Sequence, residues 1–359
     1  MTTTASASRD FSESSIEIRG ADISFTLQEE AIGRSVSMDG KTQPIEQILS
    51  QHGASHVRLR VWVDPAAGTS DLESALVLAA RAHKAGMKLL LDLHYSDTWA
   101  DRTYQRTPPA WRGQDVGELA SSVESYTEDV IAAFAAQGTP VDIVQIGNEV
   151  TLGMLWPVGE IYRQDGEHWA DFARLVKAGA SGAAQGNPSA PPAVMIHTDT
   201  GGDVGMSTYF FDRMLAHQVE FDYIGLTYYP FWQGSSTDLE HNLHTLADRY
   251  GKDIIIAETA YPWTLSNSGP SVVETAQALP HASEHPPTPA GQAAFFESLR
   301  RILRDVPHGH GAGFFVWEPG WLPGVNATAE VGTTHGNLTL FDWEGRGLPA
   351  LAAFRRDSP

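Results

Sequence analysis

The chain contains no cysteine, which excludes disulfides, thiolate metal ligands and a cysteine nucleophile. No apolar run approaches the roughly 20 residues that a membrane helix needs, so no bilayer span is predicted. Basic residues are scarce: 24 Lys and Arg stand against 44 Asp and Glu, a formal charge of −20. Nucleic acid and anionic membrane are polyanions that require a basic footprint, so neither is expected as a partner, whereas a neutral substrate fits. An early glycine-rich phosphate turn is also missing, which counts against a doubly wound open sheet. Residues 1–15 are rich in Thr, Ser and Ala and lack both the basic start and the apolar core of a secretory signal. They are read as a disordered tail on a chain that is cytoplasmic as written, the alternative being a secreted protein whose signal is absent from this chain.

What is present is ordinary for a soluble globular protein, 42% hydrophobic and 19% charged residues in a chain of 359. Strand and helix patterns alternate along it. The 56–63 segment alternates Val57, Leu59, Val61 and Val63 with Arg58, Arg60 and Trp62, so the basic groups and the indole share one face. Asp71 caps a helix with Leu72, Ala75, Leu76, Ala79, Ala80 and His83 at helical spacing, and a strand over 87–93 follows at once. Further strands are predicted over 16–24, 142–149, 193–197, 221–228, 253–258 and 312–317, with helices between them. Eight strands alternating with helices over 16–359 predict an α/β fold: a (β/α)8 TIM barrel, one domain with enlarged loops at the C-terminal face. The two longest loops, 95–117 and 263–289, both leave C-terminal strand ends.

Two of these strands end on glutamate. Asp142-Ile143-Val144-Gln145-Ile146-Gly147-Asn148-Glu149 is the fourth, and Ile254-Ile255-Ile256-Ala257-Glu258 the seventh. Cleaving a glycosidic bond takes a protonated carboxyl to donate to the leaving oxygen and an ionised one to attack or to activate water, and this pair can supply both. Arg58 or Arg60 can hold one carboxylate ionised, or simply close the barrel floor as an ion pair. Asp92 and His94 raise the alternative of a metal hydrolase, but no second histidine accompanies them on the adjacent strand. Trp99, Trp111, Trp156, Tyr228, Tyr229, Phe231, Trp232, Tyr261, Trp263, Trp317 and Trp321 lie mostly past strand ends, where large apolar faces suit a pyranose ring. Trp169 sits in a helix pattern and is read as core. His197 is either a sugar ligand or a buried core histidine.

These motifs together resemble glycoside hydrolase family 53, the endo-β-1,4-galactanases. The resemblance runs from Gly20-Ala21-Asp22 to the end of the chain. Val57-Arg58-Leu59-Arg60-Val61-Trp62-Val63, Leu93-His94-Tyr95-Ser96-Asp97-Thr98-Trp99-Ala100-Asp101, Gln145-Ile146-Gly147-Asn148-Glu149, Leu155-Trp156-Pro157, Ala257-Glu258-Thr259 and Phe315-Val316-Trp317-Glu318-Pro319 carry it. It implies a retaining endo-hydrolase of β-1,4-galactan, the neutral side chains of pectin, with Glu149 as acid/base, Glu258 as nucleophile and carboxyls about 5 Å apart. It further implies that Arg58 polarises the nucleophile, Asn148 holds the 2-hydroxyl, Tyr228 bonds Glu258, Trp317 floors the −1 subsite, and His94, Asp97, Trp99 and His197 line neighbouring sugars. Shorter β-galacto-oligosaccharides, another β-1,4-glycan, or a silent carbohydrate-binding barrel are the alternatives. No cofactor or metal is expected, calcium included, and oligomeric state is not legible. One departure stands out: after Trp99-Ala100-Asp101 the family continues with Pro and a small residue, whereas here Arg102-Thr103-Tyr104-Gln105-Arg106 follows.

Overall fold

A computed structural model describes residues 15–66, 68–266, 271–325 and 334–357. All of the predicted tail but Ser15 lies outside the described residues. Eight parallel strands close into a barrel. They are β1 (Ile18–Asp22), β2 (His56–Val61), β3 (Lys88–Leu93), β4 (Ile143–Ile146), β5 (Ala193–Thr198), β6 (Tyr223–Thr227), β7 (Asp253–Thr259) and β8 (Gly311–Val316). Each pairs with its sequence neighbours, and β1 pairs with β8 to shut the cylinder.

The helices that cover the strands begin and end where local chemistry dictates. In α1 (Leu72–Lys84) the Asp71 side chain accepts from the Ser74 N–H at 2.6 Å, and in α2 (Val116–Gln137) Asp115 and Glu118 form a reciprocal capping box before Gly138 ends the helix in the left-handed region. α3 (Trp169–Gly186), α4 (Val204–Ala216), α5 (Ser236–Tyr250) and α6 (Pro289–Arg304) cover the strands further round the barrel. Trp169 is buried among Phe172 and Phe210 as core. Among the described residues no helix is long and apolar enough to cross a membrane.

Strand alternation sorts the interior into two levels. Ile18, Leu90, Ile143, Met195, Ile255, Ala257 and Phe315 fill the barrel as an apolar cluster separate from the larger core under the helices. Gly20 makes this filling possible, since a Cβ there would lie 2.3 Å from the Phe315 ring. One step further along the same inward faces the residues turn polar: Asp22, Arg58, Asp92, Gln145, His197 and Thr227, all buried. The apolar level seals the floor, and the polar level becomes the base of a cleft at the C-terminal mouth.

Candidate active site

Glu149 and Glu258 face one cleft of about 250 Å³, lined also by Arg58, His94, Trp99, Asn148, Tyr229 and Trp317. A larger hollow of about 1370 Å³ opens at the opposite mouth, among Glu17, His56, Lys88 and Asp253. It holds neither glutamate, and barrel chemistry sits at the C-terminal face, so the smaller cleft is the candidate site.

Each glutamate is aimed by an irregularity in its strand. In β7 the register against β6 jumps from Ile256 to Glu258, and against β8 from Ile256 to Thr259. Ala257 already points into the barrel, so strict alternation would send Glu258 outward; the bulge turns it into the cleft. Glu149 follows Gly147, and both residues take positive φ, 79° and 48°. A glutamate held there costs on the order of 1–3 kcal/mol, the kind of strain found where a side chain must be presented.

The two carboxyls have different company. Glu258 Oε1 lies 2.8 Å from Arg58 Nη1, and Oε2 accepts from the Tyr229 hydroxyl at 3.3 Å. Arg58 is anchored in turn by Asp22 at 3.0 Å, Asp92 at 2.8 Å, Gln145 Oε1 at 3.2 Å and Asn148 Oδ1 at 2.9 Å. Burial raises the Glu258 pKa and Arg58 opposes it, while Asp92 and Asp22 add to the rise. Among the described residues Glu149 has no cation paired with it. Burial, then the charges of Glu258 and Asp199, push its pKa well above the usual carboxylate range, against a hydrogen bond from Thr227 at 2.6 Å. One carboxyl is thus compensated by a cation and the other is not, so their environments push the two apart in protonation.

The remaining predicted residues fall into place unevenly. Asn148 accepts at Oδ1 from Arg58 and donates from Nδ2 to the Ala100 carbonyl at 2.8 Å, leaving one N–H of that amide for a ligand. His94 borders the cleft, but both ring nitrogens are used: Nδ1 accepts from Trp62 Nε1 at 3.2 Å and the Ala100 N–H at 3.1 Å, and Nε2 meets Asp92 at 2.9 Å. It therefore offers a sugar only its ring. His197 is wholly buried beneath Asn148 and does not border the cleft. Asp97 does not border it either; its carboxylate accepts the Asp64 N–H at 3.0 Å. Trp99 lies over the Arg60 guanidinium at 4.6 Å, with Phe25 at 4.3 Å from the same group, and Trp317 packs beside Trp99.

Tyr228 requires a correction. The phenol that reaches Glu258 belongs to Tyr229, whereas the Tyr228 hydroxyl donates to the Gly234 carbonyl at 3.2 Å. Tyr223, Gly225 and Thr227 face inward along β6, so the next inward side chain is Tyr229, and Tyr228 points between strand and helix. Thr227, Gln145 and Asp199 are residues that sequence reasoning missed. The inward parity of β4 and β6 marks the first two; Asp199 follows β5 in a loop and carries no local signal.

Arg102 reaches Asp199 at 3.3 Å across a second hollow that shares Glu149, Asp101 and Trp232 with the first. Glu258 borders only the first. The two hollows therefore meet at Glu149, the aromatic one reaching on to Glu258 and the polar one to Asp199. Gln105 braces this loop, donating to the Asn148 carbonyl at 2.7 Å.

The family model described as glycosyl hydrolase family 53 matches residues 18–354. Arabinogalactan endo-β-1,4-galactanase A of Emericella nidulans is 37% identical over 91% of each chain. An uncharacterized protein of Niallia circulans is 41% identical over 94% of this chain and 93% of its own. Among solved structures, the Ignisphaera aggregans GH53 catalytic domain superposes with a TM-score of 0.88 at 33% identity, covering 95% of this chain and 96% of that one. A fungal β-1,4-galactanase gives 0.83 at 33% identity, over 94% and 99%.

Proposed function

The chain belongs to glycosyl hydrolase family 53 and is a glycoside hydrolase, and from that premise we propose that it cleaves β-1,4-galactan internally, with retention, through Glu149 and Glu258. The observation that carries the mechanism is the asymmetry of the pair: Glu258 bonded to Arg58 at 2.8 Å, Glu149 bonded to a neutral threonine. The substrate reading draws on the galactanase relatives and on the aromatic hollow formed by Trp99 and Trp317.

In the first half-reaction an oxygen of Glu258 bonds the anomeric carbon as the glycosidic C–O bond breaks, and Glu149 gives its proton to the departing oxygen. Loss of that proton leaves Glu149 anionic. In the second half Glu149 takes a proton from water while the water oxygen displaces Glu258, which returns both carboxyls to their starting states. Tyr229 and Arg58 hold the Glu258 oxygens throughout.

Digestion of galactan beside mannan, xylan and carboxymethylcellulose tests the substrate. Short galacto-oligosaccharides from galactan alone are expected, and turnover confined to mannan would overturn the assignment. Proton NMR of the first product tests the stereochemistry: a β-anomer that later mutarotates is expected, and an initial α-anomer would rule out retention.

A further inference from the structure

Thr227 ends β6 with its hydroxyl between two partners, Glu149 Oε1 at 2.6 Å and His197 Nε2 at 2.9 Å. A hydroxyl carries one proton, so Thr227 donates to only one of them. The histidine decides which. Its ring is wholly buried, and burial together with Arg58 and His94 keeps it neutral, with a single N–H. Nδ1 faces the Glu149 backbone N–H at 3.4 Å, a fixed donor, and Gln145 Nε2 at 3.1 Å, whose two hydrogens are shared among this nitrogen, Asp92 Oδ1 at 2.6 Å, the Gly147 carbonyl at 3.1 Å and Asn148 Oδ1 at 3.0 Å. The acceptor near it, Asn148 Oδ1 at 3.0 Å, already takes a hydrogen from Arg58 at 2.9 Å. Nδ1 therefore accepts, and the N–H sits on Nε2, directed at Thr227. The proton of Thr227 is left for Glu149 Oε1.

An oxygen that receives a hydrogen bond is the carbonyl oxygen of a neutral carboxyl group. The acid proton of Glu149 then belongs on Oε2, which has no protein partner among the described residues. We infer that Thr227, held in its donor role by His197, is a positioning residue that assigns the proton of Glu149 to the oxygen open to the cleft. When Glu149 is ionised the same bond steadies the carboxylate that takes a proton from water. The charged and titratable groups around Glu149 are Glu258 from β7 with Arg58 behind it, Tyr229 after β6, Asp199 after β5 with Arg102 on it, and Asp101 after β3. None of them donates a hydrogen to Oε1.

The inference rests on Glu149 being the acid, and the test is built to separate the two. Thr227→Val removes the hydroxyl at nearly constant volume, and Thr227→Ser keeps it. For each, kcat/KM is measured on galactan, whose sugar leaving group needs a proton, and on 2,4-dinitrophenyl β-galactobioside, whose leaving group does not. Thr227→Val is expected to lose about 10- to 100-fold on galactan, the size of a hydrogen bond to an ionising group, and to keep nearly full activity on the dinitrophenyl substrate. The basic limb of its pH profile moves upward, because a donor to the carboxylate is gone. Thr227→Ser restores both. Equal losses on both substrates, or an unmoved basic limb, would overturn the inference. If Thr227→Val is unfolded by circular dichroism, Thr227→Ala gives the same two readings. Should the native enzyme leave galactan intact and cut another glycan, the substrate reading fails alone and the comparison is repeated with that glycan.

Discussion

Arg58 and Glu258 form a buried ion pair with Nη1 2.8 Å from Oε1, although they lie on β2 and β7, far apart around the barrel wall. Asp22 and Asp92 grip the same guanidinium, so the cation cannot follow the carboxylate if it moves. Burial opposes charge on Arg58, but the carboxylates of Asp92, Glu258 and Asp22 outweigh it and hold the group protonated. Glu258 thus faces a fixed positive charge.

Arg58→Lys keeps the charge but not the fork of donors, and a lysine cannot serve Glu258, Asp22, Asp92 and Asn148 at once. Arg58 lowers the Glu258 pKa, so weakening the contact raises it. The acidic limb of kcat/KM, below which Glu258 is protonated and inert, is expected to move to higher pH. Stability falls as well, by about 3–5 kcal/mol if the buried carboxylates are left unpaired. Rate profiles and urea denaturation report the two effects separately.

The carboxyls can be told apart by azide. Glu258→Ala is expected to lose turnover and regain it with azide, giving a product of inverted configuration. Glu149→Gln should lose about 10²- to 10⁴-fold on galactan while still being glycosylated by the dinitrophenyl substrate, and azide then yields the β-galactosyl azide. Opposite products in the two variants fix the roles; the reverse pattern would exchange them.

Glu149→Gln should also stabilise the fold at neutral pH. The folded-state pKa of Glu149 is raised above its unfolded value, so the stability tied to its protonated form is present at low pH and lost as pH rises through the folded pKa. The amide removes that loss. Thermal midpoints are expected to differ by a few degrees at pH 7 and to converge below the ordinary carboxylate range; equal midpoints at pH 7 would count against a strained acid.

Arg102 is 41% exposed, and its pair with Asp199 contributes at most about 1 kcal/mol to stability. Its influence on Glu149 runs through Asp199, the carboxylate it is paired with. Asp199 raises the Glu149 pKa, so Arg102→Ala bares that charge and should move the basic limb upward, whereas Asp199→Asn should move it downward. Opposite shifts are expected, with thermal midpoints moved by no more than a few degrees, and raised salt should shrink the shift of the exposed pair.

Much of the fold was legible because its signals are local. The apolar face of α1 and its Asp71 cap, the alternation in β2 and the apolar run of β4 each announce themselves within a few residues. Glu149 and Glu258 were legible as strand ends for the same reason. The Tyr228 and Tyr229 exchange was not, since a one-residue slip at a strand end reverses which side chain faces the cleft.

By itself the sequence determined eight alternating strands and helices, two strand-end glutamates and the family motifs, because backbone periodicity and capping are set by near neighbours. Barrel closure decided the rest. It brought Arg58 of β2 onto Glu258 of β7, turned Glu258 inward by a bulge, consumed both nitrogens of His94, and set Thr227 between Glu149 and His197. Such contacts join distant parts of the chain through strand register and shear, which no short stretch of sequence encodes.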